Sequence, residues 1–362
     1  MKQIYIYPDD KDNAFLLMQK EAIENAGLCT HHNFYAFYKT EYFLFNWYEN
    51  VKTRKEFLKK TIKLYILHIF KKKILWVVHN KKPHLNISKT KKEDKLSFDL
   101  MKKLFLFSYK TIILCDETKN LKIPHPNYID FYKISNPIER ESNGLKFLFI
   151  GLIKKYKNID LLIDCFNKIN DNDVFLTIAG KCTDENFKNE LKHRIKNKNI
   201  TLDFRYIPNE QMQSLIQSND ILILPYSLES SLNSGVIFLS FSLGRTVCSS
   251  YIGSLKEYGT QRDFFYKYTY LSNEEHKQTL STTIKKIITD WKIDKDIFNK
   301  KGREAFEIVK DENSLPLITR IFCNEILNTT PPHYILAKKT VLKKHINFIK
   351  NKYYSGEKNE RA

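Results

Sequence analysis

Asp220 and Pro225 bracket an uninterrupted apolar tetrad, Ile221-Leu-Ile-Leu224, and no other stretch constrains the fold as tightly. Four apolar residues in a row between a carboxylate and a proline read as a strand buried on both faces, as in a parallel sheet covered by helices. A polar loop follows over 227–233. Asn233-Ser-Gly-Val-Ile237 then opens a segment whose Val236, Ile237, Leu239, Phe241 and Leu243 predict a buried helix ended by Gly244. Arg245-Thr-Val-Cys-Ser249 supplies the next strand. Together these form one βαβ unit whose helix N-terminus opens into the crevice at the strand ends. Such an end offers free N–H groups and a partial positive charge, which suit a phosphate. On this reading Gly235 lets a ligand approach the backbone, and Asn233 or Ser234 caps the helix or meets the ligand. The plain alternative is a serine that caps a core helix.

The same alternation runs along the whole chain. Strands are expected over 3–7, 29–35 and 42–46, with a helix over 14–26 capped by Asp12 or Asn13 and ended by Gly27. A long basic helix over 51–73, a strand over 74–78, a helix over 94–107 and strands over 111–114 and 121–123 complete a first α/β domain. Turn formers over 134–143 mark a boundary. Beyond it, strands are expected over 145–150, 174–179, 200–207 and 264–271, with helices over 159–169, 185–196 and 209–217 and further helices to about 327. Strands separated by helix-length segments mean parallel sheets.

With 362 residues, 42% of them hydrophobic, the chain is long and apolar enough for two domains, and global disorder is excluded. The cysteines at 29, 115, 165, 182, 248 and 323 are scattered, with no Cys-x-x-Cys and no histidine cluster at metal spacing. They read as reduced thiols of a cytoplasmic protein, and no metal is expected. Met1 leads straight into the first strand, so no leader peptide is expected, and Lys63 and Glu229 interrupt the best apolar runs. The first loop has no Gly-x-Gly-x-x-Gly, which disfavours a nicotinamide or flavin cofactor.

A net charge of +19 calls for an anionic partner: nucleic acid, acidic lipid or a phosphorylated substrate. The lysines are spread over both halves and no nucleic-acid-binding signature is present, so a basic nucleic-acid-binding protein is the weaker alternative. The 51–73 helix interleaves basic residues with Phe57, Leu58, Ile62, Tyr65, Ile66, Ile69 and Phe70, and the tail over 331–354 repeats the mixture. Both segments suit an anionic membrane surface, peripheral at the inner face of the plasma membrane; a solvated lysine face is the alternative.

Lys154 and Lys157, three apart after Gly151, sit on one side of an opening turn, where they would clamp the phosphates received at Gly235. Phe149-Ile-Gly-Leu-Ile-Lys-Lys-Tyr-Lys-Asn158, Ile178-Ala-Gly-Lys181 and Leu224-Pro-Tyr226 followed by Asn233-Ser-Gly-Val236 resemble the donor domain of family-4 (group 1) glycosyltransferases. In the first half, Trp76-Val-Val-His-Asn-Lys-Lys-Pro-His84 and Ile123-Pro-His-Pro-Asn-Tyr128 look like that family's acceptor-side loops.

The resemblance implies an α/β chain of GT-B fold, two Rossmann-like doubly wound parallel-sheet domains facing across a cleft, with C-terminal helices crossing back. The division would be 1–138 for the acceptor side and 139–312 for the nucleotide sugar, then a returning helix over 313–330 and a basic tail over 331–362. The donor side would comprise Gly151, Lys154, Lys157, Gly180, Lys181, Asn233, Ser234, Gly235 and Val236, with Glu229 a candidate substitute carboxylate. His79 maps onto the histidine that touches the transferred sugar, and Asn13, His84 and His125 onto the acceptor side. The implied reaction is metal-free, retaining transfer from a nucleotide sugar to a glycan or lipid-linked oligosaccharide of bacterial surface polysaccharide. One departure stands out: the family's two glutamates separated by seven residues fall on Ser231 and Leu239, and Leu152 replaces a common arginine. That departure implies an altered donor site or, alternatively, a catalytically silent scaffold.

Overall fold

The computed structural model describes residues 2–81, 91–114, 121–141 and 143–327, with the backbone alone over 91–94. His84 and the basic tail lie outside the described residues. The first half runs β1 (Gln3–Tyr7), α1 (Ala14–Asn25), β2 (Cys29–His31), β3 (Tyr42–Asn46), α2 (Arg54–Ile69), β4 (Lys73–Val78), α3 (Lys91–Phe107), β5 (Lys110–Ile113), β6 (Leu121–Lys122) and a short α4 (Ile129–Tyr132). Its sheet has the order β2-β1-β3-β4-β5-β6 and every ladder is parallel. Leu16, Ile23, Ile318 and Phe322 cover one face of it, and Leu64, Leu67, Leu100 and Leu104 the other.

The second half runs β7 (Leu145–Ile150), α5 (Ile159–Phe166), β8 (Val174–Ala179), α6 (Glu185–Arg194), β9 (Ile200–Asp203), α7 (Asn209–Gln217), β10 (Ile221–Leu224), α8 (Gly235–Ser242), β11 (Thr246–Ser250), α9 (Gly253–Lys256) and β12 (Tyr266–Tyr268). Helices α10 (Asn273–Ile293), α11 (Ile297–Glu312) and α12 (Leu315–Phe322) follow. The sheet order β12-β11-β10-β7-β8-β9 is again all parallel. β10 lies inside it, and its four apolar side chains are fully buried, which explains the unbroken tetrad. After α11 the chain returns to the first domain: α12 packs on α1, and Thr319 Oγ1 donates to the Ala22 carbonyl at 3.3 Å.

Differences from the expected elements have local causes. The strand expected over 29–35 ends at His31, because the Asn33 side chain accepts from Tyr35 N and turns Phe34–Ala36 into a 3-10 helix. The strand expected over 200–207 ends at Asp203, whose carboxylate captures the Arg205 amide and guanidinium. The basic helix is capped by Thr53 and gives way to β4 at Lys73.

Arg245 ties the second domain's core together. It is fully buried, and its guanidinium donates to the carbonyls of Asn219, Ile138, Gly244 and Gln217. Gly302 of α11 lies so close to Gly244 that a Cβ there would stand 2.1 Å from its carbonyl oxygen. Arg245→Met keeps the bulk but orphans four buried carbonyls, so it should lower unfolding stability by about 3 kcal/mol. Urea denaturation measures this; a change below about 1 kcal/mol would show that the bonds contribute little net energy.

Candidate active site

The site is built where β7, β8 and β10 end. Gly151 has φ +127 and Gly180 has φ +139, and a Cβ on Gly180 would stand 2.1 Å from the Gly151 carbonyl oxygen. Gly180 is thus needed because two loops touch. A Cβ on Gly151 would stand 3.3 Å from Lys157 Nζ, so this glycine makes room for the lysine. The chain then makes the turn Lys155–Lys157 and passes through Asn158 in the left-handed region, φ 54. Asn158 Nδ2 donates to the Pro225 carbonyl at 2.8 Å, which fastens this loop to the end of β10.

Lys157 Nζ lies 5.7 Å from the ring centroids of both Phe149 and Tyr226. Burial against these rings, and secondarily the charge of Lys154, push its ammonium down to about 8. No carboxylate among the described residues pairs with it. Lys154 is half-buried beside it, and Lys181 is exposed at the rim.

Tyr226 links this lysine to α8. Ser234 Oγ donates to Tyr226 Oη at 3.1 Å, and Ser234 N donates to Ser254 Oγ at 2.9 Å. The Ser234 side chain therefore does not cap α8, and the first-turn amides of Gly235 and Val236 carry no side-chain cap. Lys157, Tyr226, Ser234 and an uncapped helix start are thus brought together at one place.

Gly235 is a glycine for a reason the sequence did not indicate. A Cβ there would stand 2.8 Å from Tyr128 Oη and 3.4 Å from His125 Nε2, so the space beside it belongs to the first domain's last loop, not to a ligand. His125 is correspondingly not on an open acceptor face. Its Nδ1 bonds the Pro126 carbonyl at 2.8 Å, its ring stacks on Phe238 of α8 at 4.4 Å, and burial lowers its pKa to about 4. Asn13 is the cap of α1, accepting from Leu16 N at 3.3 Å, which accounts for its side chain without an acceptor.

His79 sits at the end of β4, buried, with Nε2 2.9 Å from Asn46 Oδ1 and its ring stacked on Trp47 at 4.0 Å. Immediately after it, Asn80 forms an antiparallel bridge to Ser231. Asn233 Nδ2 reaches the Val78 carbonyl at 3.4 Å, and Leu232 packs with Val78 and Ile113. The loop over 227–233 therefore crosses the cleft and rests on the strand end that carries His79. Asn233 Oδ1 and Ser230 Oγ are buried there with no hydrogen-bond partner among the described residues. Glu229 is exposed in this loop, Ser231 is buried, and Leu239 points into the core, so α8 offers no carboxylate at that position. Among the described residues no group of three His, Cys, Asp or Glu could hold a metal ion.

The sequence reading missed Tyr226, Tyr128 and Asn158 as parts of the site. An asparagine just before a helix and a tyrosine just after Pro225 were visible signals; the Tyr128 contact with Gly235 left none.

The chain is thus two all-parallel six-stranded sheets, with Lys157 and the start of α8 at the strand ends of the second. Residues 130–304, which span the second domain, match the family described as "Glycosyl transferases group 1". It is an enzyme of the glycosyltransferase class. No curated protein matches its sequence significantly. Among solved structures it is similar to Anabaena HepE in complex with UDP and glucose, with 12% identity, a TM-score of 0.64, and 91% of this chain and 100% of that chain covered. It is also similar to sucrose-phosphate synthase from Thermosynechococcus elongatus (12%, TM-score 0.63, 88% and 97% covered). A third similar structure is a glycosyltransferase from Rickettsia africae (14%, TM-score 0.59, 91% and 99% covered). These likenesses establish the GT-B fold over both domains.

Gly235→Ala should destabilise the protein by about 1–3 kcal/mol through the clash with Tyr128, and Tyr128→Phe should recover part of that loss. Denaturation of the two single variants and the double variant checks it; strict additivity would mean that the contact is not what restricts this position.

Proposed function

We propose that the chain transfers a sugar from a nucleoside-diphosphate sugar bound by the second domain to a glycan acceptor on the first. The observation that carries this reading is the convergence of Lys157, lacking a carboxylate partner among the described residues, with the uncapped start of α8, both in contact with Tyr226. A diphosphate there would accept from the α8 amides and Ser234 while Lys154 and Lys157 supply positive charge. Charge grows on the diphosphate as the sugar leaves, so these groups favour the transition state over the bound donor. Asn233 Oδ1, buried without a partner among the described residues, would accept from a sugar hydroxyl. His79, fixed by Asn46 and Trp47, would face the transferred sugar across the cleft. In this reading the product keeps the donor's anomeric configuration, and the acceptor is a lipid-linked oligosaccharide of a bacterial surface polysaccharide. Ser231 and Leu239 in place of carboxylates point to altered recognition of the ribose and sugar.

A thermal-shift screen of nucleoside diphosphates and their sugars should give a concentration-dependent rise in melting temperature for at least one base. Lys157→Ala should weaken that ligand roughly ten- to a hundred-fold without changing the fold. A chain that binds none of them, or whose Lys157→Ala variant binds as wild type, would be a scaffold and not the transferase proposed.

The lowered pKa of Lys157 also sets a pH dependence. Its ammonium is lost as pH rises through about 8, so nucleoside-diphosphate affinity should fall roughly five- to ten-fold between pH 7.5 and 9. The apo protein behaves oppositely. Holding this charge costs stability below pH 8, and that cost is relieved as pH rises towards the unfolded lysine value. Calorimetric titrations at the two pH values, with Lys157→Arg as a pH-insensitive control, measure the effect; equal slopes for both proteins would contradict it.

A further inference from the structure

Helix α2 buries only one edge, and the edge it leaves open is not merely a solvated lysine face. Lys60, Leu64 and Leu67 turn inward, whereas Leu58, Ile62, Tyr65 and Ile69 are 57, 57, 44 and 70% exposed, and Phe70 just beyond is 58% exposed. Their spacing of four, three and four sets them in a single stripe along the helix. Exposed aliphatic residues taken singly are ordinary, but a continuous ridge is not. From Leu58 to Ile69 the ridge runs roughly 17 Å at the rise of an α-helix.

Its shoulders are cationic. Arg54, Lys55, Lys59 and Lys71 are all exposed, and Lys103 lies over the Tyr65 ring at 5.8 Å. The acidic neighbours do not offset them. Glu56 is held by Lys60 at 3.1 Å and by the Lys52 amide at 2.9 Å, and Asp99 is paired with Lys102. At the far end Phe37 packs on Phe70 and brings up Tyr38, 65% exposed.

We propose that this ridge docks on an anionic lipid bilayer, with Leu58, Ile62, Ile69 and Phe70 entering the headgroup–acyl boundary. The surrounding cations would pair with lipid phosphates. The charge pattern selects the occupant. A convex aliphatic crest between lysines that can extend their heads into water, with tyrosines at its margin, matches the layering of a bilayer surface. The basic tail carries the same charge sign, which disfavours it as the cover. No helix among the described residues is long and apolar enough to cross a membrane, so the contact is a surface one. The docking stands without the donor site; only its consequence, that the acceptor is met at the bilayer, rests on the transferase reading.

The test is flotation of the full-length chain with vesicles of phosphatidylcholine alone or with about 30% phosphatidylglycerol, an anionic surface strong enough to attract polybasic segments. Wild type should float with the anionic vesicles and not with the neutral ones. Leu58→Gln/Ile62→Gln/Ile69→Gln should reduce the floated fraction roughly ten-fold. Lys55→Gln/Lys59→Gln should reduce it less and weaken its salt sensitivity. Both variants should melt as wild type and bind nucleoside diphosphate as wild type, which separates this proposal from the donor reading. The proposal is overturned if wild type floats with both vesicle types or neither, or if the triple variant floats undiminished. It is equally overturned if wild type is a dimer without vesicles that the triple variant dissolves, since a second copy would then cover the ridge.

Discussion

An ammonium group held against aromatic rings, with no carboxylate among the described residues to neutralise it, is the constraint on which the site depends. Lys157, half-buried, gives up part of its water for the faces of Phe149 and Tyr226, and part of its basicity is lost in the exchange. Such a group is poorly placed for stability alone and well placed to receive an anion. The surrounding geometry serves that placement. Gly151 leaves the space, Gly180 lets the neighbouring loop close over it, and Asn158 fixes the turn to the end of β10.

The second element of the site, the start of α8, is set by the first domain as much as by its own. Tyr128 and His125 fill the side of Gly235, and Tyr128 N accepts no slack, donating to Ser242 Oγ of the same helix at 2.9 Å. Asn313 donates to the His125 carbonyl and accepts from the Tyr258 hydroxyl, so the seam between the domains is continuous behind α8. On the open side, the loop over 227–233 reaches the strand end bearing His79. A change in the angle between the domains would therefore move His79 relative to the start of α8 and Lys157, which belong together to the second domain.

What was legible in the sequence follows from what is local. The tetrad at β10, the strands β3, β7 and β8 and the helix α7 fall where periodicity and turn residues put them. That Lys157 and Ser234 lie near each other, both against Tyr226, was readable because βαβ topology gathers strand ends at one edge. The contact of Gly235 with Tyr128 was not, since it joins residues more than a hundred apart and depends on how two domains seat. The same limit applied to α2. Its apolar spacing was evident, but which edge faces the sheet is decided by tertiary packing, and the sheet took Leu64 and Leu67. Gly180 illustrates a demand the sequence does not display: its glycine is required because backbone meets backbone, at the Gly151 carbonyl.

The most direct measurement is the pKa of the Lys157 ammonium, followed by NMR on side-chain-labelled protein with and without a saturating nucleoside diphosphate. The account predicts a value of about 8 in the free protein and a rise of more than one unit on binding, as the phosphates stabilise the charge. An ordinary lysine value in the free protein, left unmoved by the ligand, would contradict it.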